Sequence, residues 1–256
     1  MYQIKKKLQN GELVIGTMIS EVRNPNVVYM LAQCGFELVV VDNEHGTYSF
    51  ETISDIIAAA RGAGIAVVVR IPEITRANIL KPLDAGASGL LVPMVNTAEE
   101  ALEVINHAKY PPEGNRGAAL RRPHSLYGKV KAGEYLEQAN NDTFIAVQAE
   151  TSTSVENIEE IVSVDGVDCV FVGPFDLSIS LGIPGQTNHP KEVEAIEKVV
   201  EACKKHNKVS GTLMFDKEAL KGWIDKGMRF ALYSSDISMI ADAASDAINE
   251  LKSKVD

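Results

Sequence analysis

Cysteine, positive charge and long apolar runs are all scarce in this sequence. The chain has 3 cysteines among 256 residues, and Cys34, Cys169 and Cys203 are odd in number and have no metal-type spacing, which favours small buried residues or surface thiols over metal ligands or a disulfide. The formal net charge is -10 at pH 7, whereas binding to nucleic-acid phosphates needs a basic stripe. We therefore expect no nucleic-acid partner.

No apolar stretch is long enough to cross a bilayer without a charge or a turn signal. The basic start of the chain also lacks the apolar core of a signal peptide. These two features predict no membrane partner and a cytoplasmic location. Hydrophobic residues make up 45% and charged residues 23% of the chain, which is typical of a globular protein. We predict one domain over residues 1–256.

Eight short apolar segments alternate with stretches of helical periodicity. Continuous Val, Ile and Leu runs indicate strands covered on both faces, and the intervening helices supply the crossovers that parallel strands need. Eight β/α units in about 250 residues match a TIM barrel, although a doubly wound open sheet has the same alternation. The strand candidates are residues 13–19, 36–42, 66–71, 89–94, 144–150, 168–174, 209–215 and 230–235.

Two gaps between strand candidates are longer than one helix needs. They cover residues 95–143 and 175–208. Long connections after strands often carry binding residues, so we expect both gaps to contribute to the rim of an active site.

Polar residues follow several strand candidates at the ends where a barrel gathers its chemistry. A single carboxylate there is more often a helix cap or an ion-pair partner than a ligand, but convergence on one rim favours a site. Gln148 and Glu150 lie two residues apart on one strand and therefore share a face. Glu150 and Asp176 lie one β/α unit apart, so neighbouring strands would let both bind one hard cation such as Mg²⁺.

The order of several motifs resembles the HpcH/HpaI class II aldolases, which cleave 4-hydroxy-2-oxo acids to pyruvate and an aldehyde. The resemblance extends from about Gly16 to the C-terminus and implies a TIM barrel of the phosphoenolpyruvate/pyruvate superfamily. It also implies a divalent cation, Mg²⁺, Mn²⁺ or Co²⁺, among which the sequence does not choose. The motifs are VDNEHG, VVVRIP, LLVPMV, YPPEGNRG, VQAETSTSVENI and VFVGPFDLSISLG.

By position, this resemblance assigns the metal ligands and the residues that bind substrate. Glu150 and Asp176 match the metal ligands, Arg70 the residue that faces the keto oxygen, and Gln148 a substrate-positioning neighbour. The pyruvate carboxylate also needs donors. Pro174 has no N–H group, so the backbone amides of Phe175 and Asp176 are the candidates.

The resemblance also assigns an acid/base pair. Asp42 and His45 match this pair, with Asp42 expected to orient the imidazole, and Asp84 matches a carboxylate that reaches the site from an adjoining subunit. Glu44 is interpreted as a structural ion-pair partner rather than a second base. Asn43 and Phe175 depart from the family, in which small residues are usual at both positions.

The C-terminal segment predicts an amphipathic helix with one apolar stripe. Packing on its own barrel as the eighth helix would bury this stripe. The resemblance implies instead that the helix crosses to a neighbouring barrel in a swapped dimer, with three such dimers forming a hexamer. The stripe consists of Ile237, Ile240, Ala244, Ile248, Leu251 and Val255.

Two other functions are compatible with the same residues. A related enzyme would act on an acyl-CoA thioester or decarboxylate its substrate, although CoA favours more basic residues on the rim than the sequence offers. A barrel that binds oxo acids without turnover would be a sensor or scaffold, but it would need no acid/base pair. We therefore predict an aldolase that acts on pyruvate and an aldehyde.

Overall fold

The eight predicted strands form a closed parallel barrel. The computed structural model describes residues 4–253, so Val255 lies outside the described residues. Each strand pairs with the next, and the first pairs with the eighth, so the TIM barrel is confirmed and the open sheet is excluded. The strands are β1 Val14–Ile19, β2 Leu38–Asp42, β3 Ala66–Arg70, β4 Gly89–Val92, β5 Phe144–Ala149, β6 Cys169–Val172, β7 Val209–Met214 and β8 Phe230–Ser235.

Helices connect the strands and cover the outside of the barrel. A short 3-10 helix, Pro123–Ser125, lies in the connection between β4 and β5. The α-helices are α1 Ile4–Gln9, α2 Val27–Gln33, α3 Phe50–Ala63, α4 Arg76–Ala85, α5 Ala98–Ala108, α6 Ala132–Asp142, α7 Ser152–Glu156, α8 Ile158–Ser163, α9 Pro174–Ser180, α10 Pro190–Lys205, α11 Lys217–Asp225 and α12 Asp236–Lys252. In residues 4–253, no helix has the length and apolar character needed to cross a membrane.

The interior of the barrel is filled at the end where the strands begin. Phe230 makes edge contacts with Phe144 and Phe171, with ring centroids 5.3 Å and 5.5 Å away. Ile4 and Leu8 of α1 are 1% and 3% exposed and pack into the same inner cluster. The amino-terminal end of the barrel is therefore closed, and polar side chains gather at the opposite end.

The long connection between β4 and β5 does not lie on the rim as expected. Its 3-10 helix packs on α4, and a Cβ built on Gly86 would lie 3.5 Å from the backbone of His124. Gly86 follows α4 and precedes β4, which places this contact at the amino-terminal end of the barrel. The expectation for the gap 95–143 is therefore wrong for residues 109–131, the loop between α5 and α6, because α5 carries the chain to the amino-terminal end first. The other gap, residues 175–208, begins at the carboxyl end with α9.

Only the first turn of helix α12 packs on its own barrel, where Met239 touches the core. Asp236, at its start, is its only buried residue among those described, and Ile240 through Lys252 are all exposed. Ile237, Ile240, Ile248 and Leu251 are between 46% and 64% exposed. On the barrel itself, Ile15 of β1 is 38% exposed, although outer strand faces are normally covered by helices. The interpretation of α12 as an eighth helix on its own barrel is therefore wrong.

Candidate active site

Arg70 and Asp42 occupy neighbouring positions at the carboxyl ends of β3 and β2. Register pairs the two residues directly. Arg70 Nε donates to Asp42 Oδ1 at 2.9 Å, and Nη2 donates to Oδ2 at 2.8 Å. Burial acts to raise the pKa of Asp42, but the hydrogen bond and positive charge of Arg70 hold it below its usual value. Arg70 Nη1 also lies 3.2 Å from Glu44 Oε2, so the expected structural ion pair of Glu44 is present.

His45 does not form the expected side-chain pair with Asp42. Asp42 Oδ1 accepts hydrogen bonds from the backbone amides of Glu44 at 3.0 Å and His45 at 3.3 Å. The His45 imidazole is 70% exposed, and its Nε2 lies 4.0 Å from Glu44 Oε2. Asp42 therefore orients the backbone of the loop and not the ring, because its oxygens already face Arg70 and the amides. The proposed orientation of the imidazole by Asp42 is wrong.

Gln148, near the end of β5, and Glu150, directly after it, share the inner face of the barrel, as their spacing predicts. Gln148 Nε2 donates to Glu150 Oε2 at 2.6 Å, and the backbone amide of Met94 donates to Glu150 Oε1 at 2.7 Å. Both side chains are nearly buried, at 2% and 3% exposure. Within residues 4–253, Gln148 Oε1 is buried without a hydrogen-bond partner, so it remains available to a bound group.

Gly173 provides the space in which the Glu150 carboxylate lies. The register of β5 and β6 pairs Ala149 with Val172. Glu150 and Gly173, the next residues after these two strands, therefore lie side by side. A Cβ built on Gly173 would overlap Glu150 Oε2 and lie 3.3 Å from Gln148 Nε2. A side chain at this position would displace the carboxylate.

Several carboxylates surround one positive charge in this site. Burial, with smaller contributions from the charges of Glu44 and Asp176, raises the pKa of Glu150 to about 7, although the Met94 hydrogen bond and the charge of Arg70 act to lower it. Burial is also the main cause of the raised pKa of Glu44, with Asp42 and Asp176 contributing. Arg70 alone does not balance these groups, so the cluster favours an added cation.

The donor set fits an open cation site rather than a closed one. In the part of the chain that is described, no three His, Cys, Asp or Glu side chains are arranged to enclose a metal ion. Glu150 and Asp176 offer carboxylate oxygens, and the exposure of Asp176 leaves room for water and for an oxygen-bearing ligand. Hard divalent cations accept such mixed oxygen ligands.

Of the other residues predicted for the site, Phe175 lies at the rim and Asp84 does not. Phe175 is at the rim and 62% exposed. The amides of Phe175 and Asp176 occupy the first turn of α9, where no intrahelical acceptor exists. Asp84 lies far from the rim, at the C-terminal end of α4, where Arg116 Nη2 donates to its Oδ1 at 2.7 Å. The structure therefore does not bring Asp84 into the site of its own barrel.

The sequence alone did not predict three features of this part of the structure. The Met94 amide reaches Glu150 from a backbone with φ of 56°, a conformation that no residue type there signals. The need for glycine at position 173 depends on the register of two strands distant in sequence. Asp236, which anchors the start of α12, was not distinguished from the other acidic residues of that helix.

Comparison with known proteins gives a consistent set of similarities. Residues 17–243 match the family model described as HpcH/HpaI aldolase/citrate lyase. The chain is 35% identical over 250 residues to the 5-keto-4-deoxy-D-glucarate aldolase of Klebsiella pneumoniae subsp. pneumoniae, covering 98% of this chain and 96% of that one. It is 36% identical over 238 residues to the hydroxypyruvate/pyruvate aldolase of Roseobacter denitrificans, covering 92% and 91%.

A solved structure shows the same fold over nearly the full length. The HpcH/HpaI aldolase from Desulfitobacterium hafniense DCB-2 is similar with a TM-score of 0.95 and 38% sequence identity, and the match covers 98% of this chain and 97% of that one. The similarity therefore includes both the barrel and the C-terminal helix.

Proposed function

Because the chain belongs to the HpcH/HpaI aldolase/citrate lyase family and is therefore an enzyme of the aldolase type, we propose that it cleaves a 4-hydroxy-2-oxo acid reversibly to pyruvate and an aldehyde. The name of the Roseobacter denitrificans relative includes pyruvate, which supports pyruvate as one product. The proposal includes a divalent cation, Mg²⁺, Mn²⁺ or Co²⁺, held by Glu150 and Asp176.

The observation that carries this proposal is the excess of carboxylates beside a buried arginine. Burial and the neighbouring charges of Glu44 and Asp176 raise the pKa of Glu150 to about 7 even though the charge of Arg70 acts to lower it, so Arg70 compensates the ionised form only in part. A divalent cation bound there supplies the remaining counter-charge and stabilises the negative charge that develops on the pyruvate fragment. Gln148 donates to Glu150 and holds its carboxylate in place.

Arg70 contributes a fixed positive charge and hydrogen-bond donors. One N–H of Nη2 is directed to Asp42, and Nη1 faces Glu44. Each Nη carries two N–H groups, so both retain a donor for the keto oxygen of the substrate. Since Asp42 fixes the guanidinium from the other side, this charge is in place before the reaction begins.

His45 is the proposed base for the 4-hydroxyl group. Removal of that proton lets the C3–C4 bond break, so that the aldehyde leaves and the bonding electrons remain on the pyruvate fragment. Imidazole suits this transfer at neutral pH. The exposed ring of His45 reaches from the rim towards the solvent side of the site, where the aldehyde portion would lie.

The carboxylate of pyruvate needs donors that carry no charge of their own. The amides of Phe175 and Asp176 in the first turn of α9 provide two such donors. The Phe175 side chain is 62% exposed, so in this proposal it would lie on the solvent side, where it could contact the aldehyde portion.

The exposed apolar stripe of α12 supports an assembly. A second copy would cover Ile237, Ile240, Ile248 and Leu251 and receive the helix over its own partly exposed Ile15. We infer a swapped dimer, with three dimers forming a hexamer in which Asp84 approaches a neighbour's site. The location of Asp84, outside the site of its own barrel, agrees with this role.

The test combines two assays of the purified chain. Proton exchange of the pyruvate methyl group is followed by NMR in deuterated buffer with each metal, and a panel of aldehydes is screened for condensation with pyruvate. We expect metal-dependent exchange that chelation removes and readdition restores, together with condensation. Binding of pyruvate without exchange would contradict the proposal and favour a non-catalytic barrel.

A further inference from the structure

The buried carboxylate at the start of α12 connects that helix to the loop that carries His45. We propose that Asp236 is a positioning residue for the reaction: it holds the loop after β1, residues 20–23, and this loop in turn holds the loop after β2, residues 43–49. The inference rests on the proposed function only in naming His45 as the group whose position matters.

Asp236 binds the loop after β1 through several backbone amides at once. Its Oδ1 accepts from the amide of Ser20 at 3.0 Å, and its Oδ2 accepts from the amides of Glu21 at 3.1 Å and Val22 at 2.7 Å. The Ser20 hydroxyl adds a contact of 3.3 Å to Oδ1. Asp236 is 4% exposed, and buried hydrogen bonds to an ionised acceptor are strong. The carboxylate therefore fixes three consecutive amides.

The loop after β1 makes three contacts with the loop after β2. Tyr48 Oη donates to the carbonyl of Val22 at 3.2 Å, and Arg23 Nη2 donates to Thr47 Oγ1 at 2.7 Å. Gly46 packs against the same loop, since a Cβ built on it would lie 3.2 Å from the carbonyl oxygen of Ser20 and would overlap that of Asp42. Burial, with the nearby charge of Asp236, raises the pKa of Tyr48, which keeps its hydroxyl a donor.

The position of His45 depends on these backbone contacts because its side chain makes few contacts of its own. The imidazole is 70% exposed, and its nearest charged group is Glu44, at 4.0 Å. Its backbone amide donates to Asp42 on one side, and the next residue, Gly46, packs against the carbonyl of Ser20 in the loop after β1 on the other. A shift of about 1 Å in a reacting group can cost up to about 100-fold in rate. Support of the loop therefore determines the rate without contact with the substrate.

The experiment compares Asp236→Asn with Asp242→Asn. Both substitutions remove one negative charge from α12, but Asp242 is exposed and does not touch the loop. An asparagine at position 236 replaces one acceptor oxygen with an amide nitrogen, so it cannot accept from all three backbone amides. We expect Asp236→Asn to lower kcat for cleavage about 10- to 100-fold, with KM and pyruvate affinity within about twofold of wild type. Asp242→Asn should leave all three within about twofold.

A double-mutant cycle with His45→Ala separates positioning from general damage. If Asp236 acts through His45, adding Asp236→Asn to His45→Ala should change kcat less than about twofold. Equal losses in both backgrounds would overturn the proposal. Tyr48→Phe, which removes only the hydroxyl bond to Val22, tests the same chain of contacts if Asp236→Asn does not fold, and it should lower kcat in wild type but not in His45→Ala.

Backbone hydrogen exchange supplies a readout that does not need activity. Mass spectrometry should show faster exchange over residues 43–49 in Asp236→Asn than in wild type or Asp242→Asn, with an unchanged assembly mass. Unchanged exchange over this segment would overturn the positioning role. An inactive wild-type enzyme would contradict the proposed reaction, while the exchange result would still decide whether Asp236 holds the loop.

Discussion

Arg70 and Asp42 form a two-point ion pair between the carboxyl ends of adjacent strands. The pair joins Nε to Oδ1 and Nη2 to Oδ2, and Asp42 is 2% exposed. Loss of one partner from a buried pair leaves the other charge unpaired, which is strongly destabilising. Arg70 therefore supports the fold of the rim as well as the proposed chemistry, and the two roles can be measured separately.

Substitution Arg70→Ala should lower the free energy of unfolding by about 3–5 kcal/mol and reduce both pyruvate binding and kcat. The double variant Arg70→Ala/Asp42→Asn removes the unpaired charge, so it should recover most of the stability but none of the activity. Denaturant unfolding and calorimetric titration with pyruvate measure the two effects. Recovery of activity in the double variant would contradict the role of Arg70 at the keto oxygen.

The metal assignment predicts a loss of cation binding in two variants. Glu150→Gln and Asp176→Asn keep the shape of the side chain but remove its charge, so each should abolish metal-dependent turnover while the barrel persists. Calorimetric titration with Mn²⁺ and circular dichroism measure binding and fold. Asp165→Asn, an exposed residue at the other end of the barrel, serves as the control. Full activity of either site variant after chelation and metal readdition would refute the ligand pair.

Substitution His45→Ala should separate binding from proton transfer. We expect cleavage to slow by about 10² to 10⁴, the usual contribution of a general base, while pyruvate still binds because Arg70 and the α9 amides remain. Steady-state kinetics and calorimetry provide the two measurements, with His107→Ala on α5 as the control. Loss of pyruvate binding in His45→Ala, with binding kept in Arg70→Ala, would reverse the assignment.

The buried carboxyl group of Glu192 leads us to predict that its replacement will raise the stability of the protein in a pH-dependent way. It is 0% exposed, and within residues 4–253 neither carboxylate oxygen has a hydrogen-bond partner. Burial raises its pKa to about 7, from 4.5, so the native state holds the proton more tightly than the unfolded state. The carboxyl group therefore contributes its full stability below about pH 4.5 and loses it as the pH rises through 7.

Glutamine at this position imitates the protonated form at every pH. Glu192→Gln should raise the melting temperature at pH 8, with a gain of about 1–3 kcal/mol, and should change it little at pH 5. Calorimetric scans at both values test this, with the exposed Glu194→Gln on the same helix as the control. A gain of equal size at both pH values would show that ionisation of Glu192 is not the cause.

The assembly depends on the apolar stripe of α12. Deletion from Ile237 onward keeps Asp236 and should give a monomer of reduced activity, whereas the full chain should scatter light as a mass several times 27.7 kDa. The double substitution Ile240→Asp/Ile248→Asp should act in the same way, because it places charge on the covered face. Asp242→Asn is the matched control. A fully active monomer at assay concentration would contradict both the swap and the role of Asp84.

The sequence predicted the strands well because their apolar runs are local and continuous. It also placed Gln148 and Glu150 on one face, since alternation along a strand needs no tertiary information. The contact between Asp42 and His45 was wrong because spacing does not reveal that Arg70, from the next strand, occupies the carboxylate. Three features depend on contacts between segments that are distant in sequence, which no local pattern encodes. They are the hydrogen bond from the Met94 amide to Glu150, the room that Gly173 leaves for the Glu150 carboxylate, and the hydrogen bonds of Asp236 to the loop after β1.

The closed amino-terminal end of the barrel determines from which side small molecules can enter and leave the site. Ile4, Leu8 and the cluster of three phenylalanines fill that end. Among the residues that the structure describes, the site is therefore open to solvent at the carboxyl end of the barrel. In the proposed reaction, the aldehyde formed on the side of the exposed His45 ring would lie between pyruvate and the solvent. The aldehyde would then leave before pyruvate and, in the reverse direction, bind after it, so the proposed reaction would have an order of release and binding that requires no conformational change.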